Sequence, residues 1–103
     1  IKDAHANLIH PGEIETILET HPQVIEAGVC GYISETGDEK IAAFIVPETN
    51  ITDTRNFFNS LNRFVEDHLG QRKIPSRYVI KKDLPKGTNN KLIRKHLIEE
   101  LNH

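Results

Sequence analysis

Lys91 is the residue whose type and surroundings are best suited to chemistry. It stands in LPKGTNNKLIRKHLIEEL, Leu84 to Leu101, where an apolar pair leads into a Pro/Gly/Asn loop and then into an amphipathic stretch. The pattern predicts a loop over 81–90 and a helix over 91–101, with Ile93, Leu97 and Leu101 at four-residue spacing. Lys91 is then expected at the helix mouth, where the macrodipole disfavours a cation by about 0.3–1 kcal/mol. A lysine set against its local preference is a candidate for work on a negatively charged partner. The plainer reading is an ordinary exposed lysine at a helix start.

Other reactive side chains form no legible constellation. Six histidines (His5, His10, His21, His68, His96, His103) lack ligand spacing with a matching cysteine or carboxylate cluster, so no metal site is assigned. His5 and His10 share a stretch and could meet. No Ser/His/Asp order is readable. The single cysteine, Cys30, lies in an apolar strand-like run and reads as packing. It allows no disulfide framework and points to a reducing compartment, with a cytoplasmic location expected. The chain carries no complete active site of its own, which suggests chemistry divided between this domain and another.

Charge is strongly segregated behind a net value of −2. Residues 1–71 hold 4 Lys/Arg and 12 Asp/Glu, whereas residues 72–95 hold 9 Lys/Arg and one acid, Asp83. The basic block (Arg72, Lys73, Arg77, Lys81, Lys82, Lys86, Lys91, Arg94, Lys95) suits a polyanion or simply forms a solvated face. Tyr78 is its only aromatic and no recognition-helix motif accompanies it, so nucleic acid is not expected. Phosphates of a nucleotide or of CoA fit at least as well, with Arg72 and Lys73 as candidate contacts.

The elements that must position Lys91 are short and well punctuated. An irregular lead-in over 1–9 precedes a helix over 13–20, opened by Pro11-Gly12, striped by Ile14, Ile17 and Leu18, and stopped by His21-Pro22. Val24–Tyr32 and Ile41–Val46 read as strands of a hairpin around the SETGDEK turn. IAAFIV is apolar on both faces, which places it centrally in a small sheet. A helix over 53–69 is capped by Thr52 or Asp53, buries Phe57, Leu61, Phe64, Val65 and Leu69, and ends at Gly70. Arg77–Ile80 is a third strand. The order α-β-β-α-β-α predicts an α+β fold, a small three-stranded sheet packed by three helices. At 103 residues the chain is one domain able to bury about two-thirds of its unfolded surface. No apolar run approaches the ~18 residues of a membrane span. The start at Ile1 and the lack of methionine suggest a fragment of a longer protein.

Taken in order, these segments resemble the C-terminal subdomain of the AMP-forming adenylating enzymes: acyl-CoA synthetases, luciferases and peptide-synthetase adenylation domains. LIHPGEIETILETHPQVIEAGVCG is similar to that family's Pro-x-Glu-Ile-Glu helix, His-Pro-x-Val and Gly-ended strand. IAAFIVPE resembles its second strand, and LGQRKIPSRYVIKKDLPKGTNNKLIR its Tyr-Lys-Val-Pro segment, Leu-Pro pair and lysine loop. Asn90 stands where the family usually has Gly before the lysine, and Asn is the best substitute at positive φ. The lead-in loop has no glycine where the family usually carries one.

The resemblance implies an ATP-dependent, AMP-forming acid–thiol ligase whose large nucleotide-binding domain precedes residue 1. A carboxylic acid and ATP would give an acyl-adenylate, and CoA or a carrier pantetheine would take the acyl group. ATP, CoA and an ATP-borne Mg2+ are the implied cofactors, with no metal site in this domain. The subdomain would be mobile and swing between two poses. One delivers Lys91 as the adenylation lysine. The other brings up the loop of residues 4–10, whose Ala6, Asn7 and Leu8 would border the pantetheine. The implied partners are the N-terminal domain of the same chain, a small carboxylic acid, and CoA or a carrier. The fragment alone should be inactive. Within the family, an adenylation domain or acyl-AMP ligase loading a carrier protein is the alternative. Outside it, the alternative is a non-enzymatic basic module for RNA or an acidic protein.

Overall fold

In a computed structural model, residues 10–89 and 91–101 are described. The elements run α1 (Pro11–Glu19), β1 (Val24–Ile33), β2 (Glu39–Pro47), α2 (Thr54–Leu69), a 3-10 turn (Gln71–Lys73), β3 (Arg77–Ile80) and α3 (Arg94–Leu101). This is the expected order of three helices and three strands. The sheet order is β1-β2-β3, with β1 and β2 antiparallel and β2 and β3 parallel. IAAFIV is therefore the central strand. Its side chains alternate: Ile41, Ala43 and Ile45 enter one core, and Ala42, Phe44 and Val46 the other. The sheet is covered on both faces, by α1 and α2 on one side and by α3 with Leu84 on the other.

Local chemistry explains the boundaries. Pro11 occupies the first helical position of α1, so that helix starts two residues before the expected Glu13. Asp53 caps α2 by accepting from the Asn56 N–H at 3.1 Å. Gly70 ends α2 at φ 92°, a left-handed conformation that costs glycine nothing. Gly37, at φ 88°, does the same in the β1–β2 turn. On α2, Phe57, Leu61 and Val65 are buried, and Phe64 stands half-buried against the His21 ring at 4.7 Å.

The last helix departs from expectation. It begins at Arg94, not at Lys91. The intervening residues are held in extended backbone pairing: Leu92 bridges Lys86, and the Ile93 N–H donates to the Pro85 carbonyl at 2.9 Å. Those bonds compete with a helical turn there. Leu97 is buried, with Leu92 and Leu101 packed around its cluster.

Candidate functional site: the lysine hairpin

Residues 84–89 and 91–93 form the two arms of a small hairpin rooted on the sheet. Leu84 is buried at the root. The Pro85–Ile93 hydrogen bond and the Lys86–Leu92 bridge join the arms, and the Gly87 N–H closes the tip on the Lys91 carbonyl at 2.9 Å. The Lys91 N–H donates to the Asn89 side-chain oxygen at 3.2 Å. That two-residue reach is the turn-forming habit of asparagine. The backbone of Lys91 is thus fixed, and the residue is exposed. The α3 macrodipole does not act on Lys91 as on a first-turn residue, because Lys91 precedes α3 by three residues. Asn90 lies outside the described residues.

Both arms are tied to β1. Lys86 forms an ion pair with Glu26. Arg94 donates to both Glu15 oxygens, from Nη2 at 2.7 Å and Nε at 3.2 Å, and Nε also reaches the Val29 carbonyl at 3.1 Å. Glu15 additionally accepts the Val29 N–H at 2.8 Å. Burial pushes the Glu15 carboxyl above its ordinary pKa, outweighing the opposing pull of the Val29 N–H and of Arg94.

With this geometry established, known proteins give a context. The model of the AMP-binding enzyme C-terminal domain matches residues 13–91, ending on Lys91 itself. The chain belongs to that family. It is 34% identical over 96 residues to a 2-succinylbenzoate–CoA ligase of Bacillus mycoides, covering 90% of this chain and 19% of the ligase. It is 36% identical over 103 residues to an Escherichia coli crotonobetaine/carnitine–CoA ligase, covering 92% of this chain and 19% of the ligase. The fold superposes on a benzoate CoA ligase from Burkholderia xenovorans with a TM-score of 0.76 at 34% identity, over 85% of this chain and 18% of that one. For a Brucella canis acyl-CoA synthetase the values are 0.80 at 27% identity, over 87% and 17%. The chain spans about a fifth of the length of the curated relatives it matches.

Against this AMP-binding C-terminal domain, the other candidate residues can be placed. Arg72 and Lys73 lie on the 3-10 turn between α2 and β3, separate from the hairpin; Arg72 is exposed and Lys73 half-buried. Ala6, Asn7, Leu8 and His5 lie outside the described residues. Among the described residues, no group of three or more His, Cys, Asp or Glu converges as metal ligands. No described helix is long and apolar enough to cross a membrane. Cys30 is buried and free, and burial pushes its thiol up to about 11, which keeps it protonated and poorly nucleophilic near neutral pH.

The basic block is partly spent inside the domain. Among the described residues, its Lys81, Lys86 and Arg94 pair with Glu100, Glu26 and Glu15. Tyr78 stacks on Phe58 at 5.0 Å and donates to Asn62 at 2.7 Å, so its ring is occupied too. Two features escaped the sequence. One is the Glu15–Arg94 clasp, 79 residues apart, whose only sequence trace is the acidic front facing a basic rear. The other is the buried His21–Ser60 contact at 3.0 Å. It imitates a nucleophile–base pair but is wired otherwise. Nδ1 accepts the Gln23 N–H, so Nε2 carries the proton and donates to Ser60, which donates to the Phe57 carbonyl. A histidine held in that tautomer cannot take the serine proton.

Proposed function

We infer that this chain works as the mobile C-terminal domain of an ATP-dependent, AMP-forming acid–thiol ligase, with Lys91 as its adenylation lysine. The observation that carries the reading is an exposed ammonium on a hairpin whose backbone is closed at Lys91 and whose arms are fastened to β1. In the first step a carboxylate oxygen of the acid bonds to the α-phosphorus of ATP and the bond to pyrophosphate breaks. Two anions must approach each other there. A lysine ammonium, a compact point charge with three donors, can bind both and offset their repulsion. In the second step the sulfur of CoA attacks the acyl carbonyl, AMP leaves, and the thiol proton passes to solvent.

The CoA ligases among the relatives support a small carboxylic acid and CoA as substrates. A carrier pantetheine is the second acceptor consistent with the family. ATP would be held by the N-terminal domain of the same protein, and Mg2+ would arrive with its phosphates. The loop of residues 4–10, with Ala6, Asn7 and Leu8, is the proposed pantetheine side. Arg72 and Lys73 are the proposed phosphate contacts. A buried free thiol fits a reducing, cytoplasmic setting.

The test separates the half-reactions in the complete ligase. Lys91→Ala should slow adenylation by about 10² to 10⁴-fold, measured by pyrophosphate release. Thioester formation from pre-made acyl-adenylate should be nearly untouched, and Lys95→Ala should change little in either. Arg72→Ala and Lys73→Ala should raise the KM for CoA or ATP. Equal losses of both half-reactions in Lys91→Ala, or none in either, would sink the assignment of Lys91.

A further inference from the structure

Helix α1, strand β1 and the lysine hairpin converge on one carboxylate. Among the described residues β1 is an edge strand, with β2 on one side only. Its outward groups at Val29 are satisfied by side chains instead of a neighbouring strand: the N–H by Glu15 and the carbonyl by Arg94. A planar guanidinium can address a carboxylate and a carbonyl at once, which a lysine ammonium does without the fixed fork geometry. Arg94 is also the first residue of α3 and follows directly on the hairpin's closing residue, Ile93. Between the two ties the hairpin lies close on the strand. A Cβ added to Gly28 would come within 3.2 Å of the Leu92 side chain and 3.0 Å of Leu97. The apolar hold on α3 comes from Leu97, fully buried, whereas the Arg94 side chain stays 41% exposed. Arg94 therefore contributes direction more than burial.

We propose that Arg94, locked by Glu15 onto the Val29 carbonyl, is a positioning residue that fixes the angle at which the hairpin presents Lys91. The proposal rests on the adenylation-lysine reading for its consequence in catalysis, but not for its consequence in structure. Removing the clasp leaves α3 on its core and lets the hairpin arms part at Ile93 and Gly87.

Two measurements on Arg94→Lys and Glu15→Gln decide it. In this chain, amide exchange at Gly87 and Ile93 should accelerate by about tenfold or more, while α2 amides keep their protection. In the complete ligase, adenylation kcat should fall by about 10 to 10²-fold, as for a small misplacement, with the KM for ATP nearly unchanged and the thioester half-reaction intact. Glu15→Gln keeps the side-chain shape and serves as the independent arm if Arg94→Lys does not fold. Unchanged exchange at Gly87 and Ile93, or equal loss of both half-reactions, overturns the proposal. If Lys91→Ala itself leaves adenylation intact, the adenylation-lysine reading fails, and the exchange rates alone decide whether Arg94 sets the hairpin.

Discussion

The two faces of the sheet share the central strand β2 and are held in different ways. Under α1 and α2, eleven buried described residues form one cluster, widened by Ile51, Phe58, Leu69, Ile74 and Tyr78. Under α3 the cluster has six, Cys30, Ala42, Phe44, Val46, Leu84 and Leu97, and its surroundings are tied by ion pairs of Lys81, Lys86 and Arg94. Apolar burial is worth about 25 cal/mol per Å² and has no direction. A guanidinium fork is directional and adds geometric specificity. The thick face supplies most of the cohesion, and the thin face supplies geometry for the element that carries Lys91. Regions with few apolar contacts open at lower free energy than the core. The face that presents Lys91 is thus the one able to adjust.

The largest effect should follow from emptying the thick face. Leu61 is fully buried between α2 and the sheet, and Leu61→Ala should cost about 2–5 kcal/mol. Chemical denaturation should show one cooperative transition moved to lower denaturant. Leu97 is equally buried on the thin face, and Leu97→Ala should cost about 2–3 kcal/mol, the lower end of that range, because a short helix can partly settle into the space. Hydrogen exchange should show α3 losing protection ahead of α2. If both helices lose it equally, the faces are one cooperative unit and the contrast breaks.

Much of the thick face was legible in the sequence because its signals are local. The stripe of α2, the capping Asp53, the left-handed Gly70 and the two-sided IAAFIV run each announce themselves within a few residues. Thr54–Leu69 and Arg77–Ile80 accordingly fall where periodicity puts them. The thin face is harder to read because its determinants are distant in sequence. Nothing near Leu92 shows that its backbone will pair with Lys86, so the apolar spacing extended α3 back to Lys91. Nothing near Arg94 shows that its partner will be Glu15. The charge segregation was visible, but it reads as an external polyanion site until the fold brings the acidic front against the basic rear. The loop and the family resemblance single out Lys91 as a candidate, but neither shows the hairpin that holds it.

A smaller effect tests the thick face by pH. Burial lowers the His21 pKa below its ordinary value of 6.5. The hydrogen bonds agree, since protonating Nδ1 would set it against the Gln23 N–H. The unfolded chain then binds this proton more readily than the folded one. The contribution of His21 is therefore fully present above pH 6.5 and is lost as pH falls from there through the lowered folded value. Denaturation midpoints across that window should drop more steeply in the native chain than in His21→Gln. An equal slope in both would show that the buried ring gives no pH sensitivity.

The smallest effect belongs to the rim of the thin face. Lys81 Nζ lies 3.0 and 2.9 Å from the two Glu100 oxygens, joining the end of β3 to α3. The two side chains are 30% and 42% exposed, so water competes with the pair and salt screens it. Exposed pairs contribute about 0.2–1 kcal/mol, and Lys81→Gln should cost about 0.5 kcal/mol or less at low salt and nothing measurable near 1 M salt. Glu15 differs, with a side chain only 14% exposed under Arg94, so exchange at Gly87 and Ile93 in Arg94→Lys should stay fast in the same salt. Hydrogen exchange of α3 in the Lys81 and Leu97 variants then sharpens the comparison. If Lys81→Gln opens α3 as far as Leu97→Ala does, exposed charge and not the buried leucine holds that helix, and the thin face depends on its rim alone.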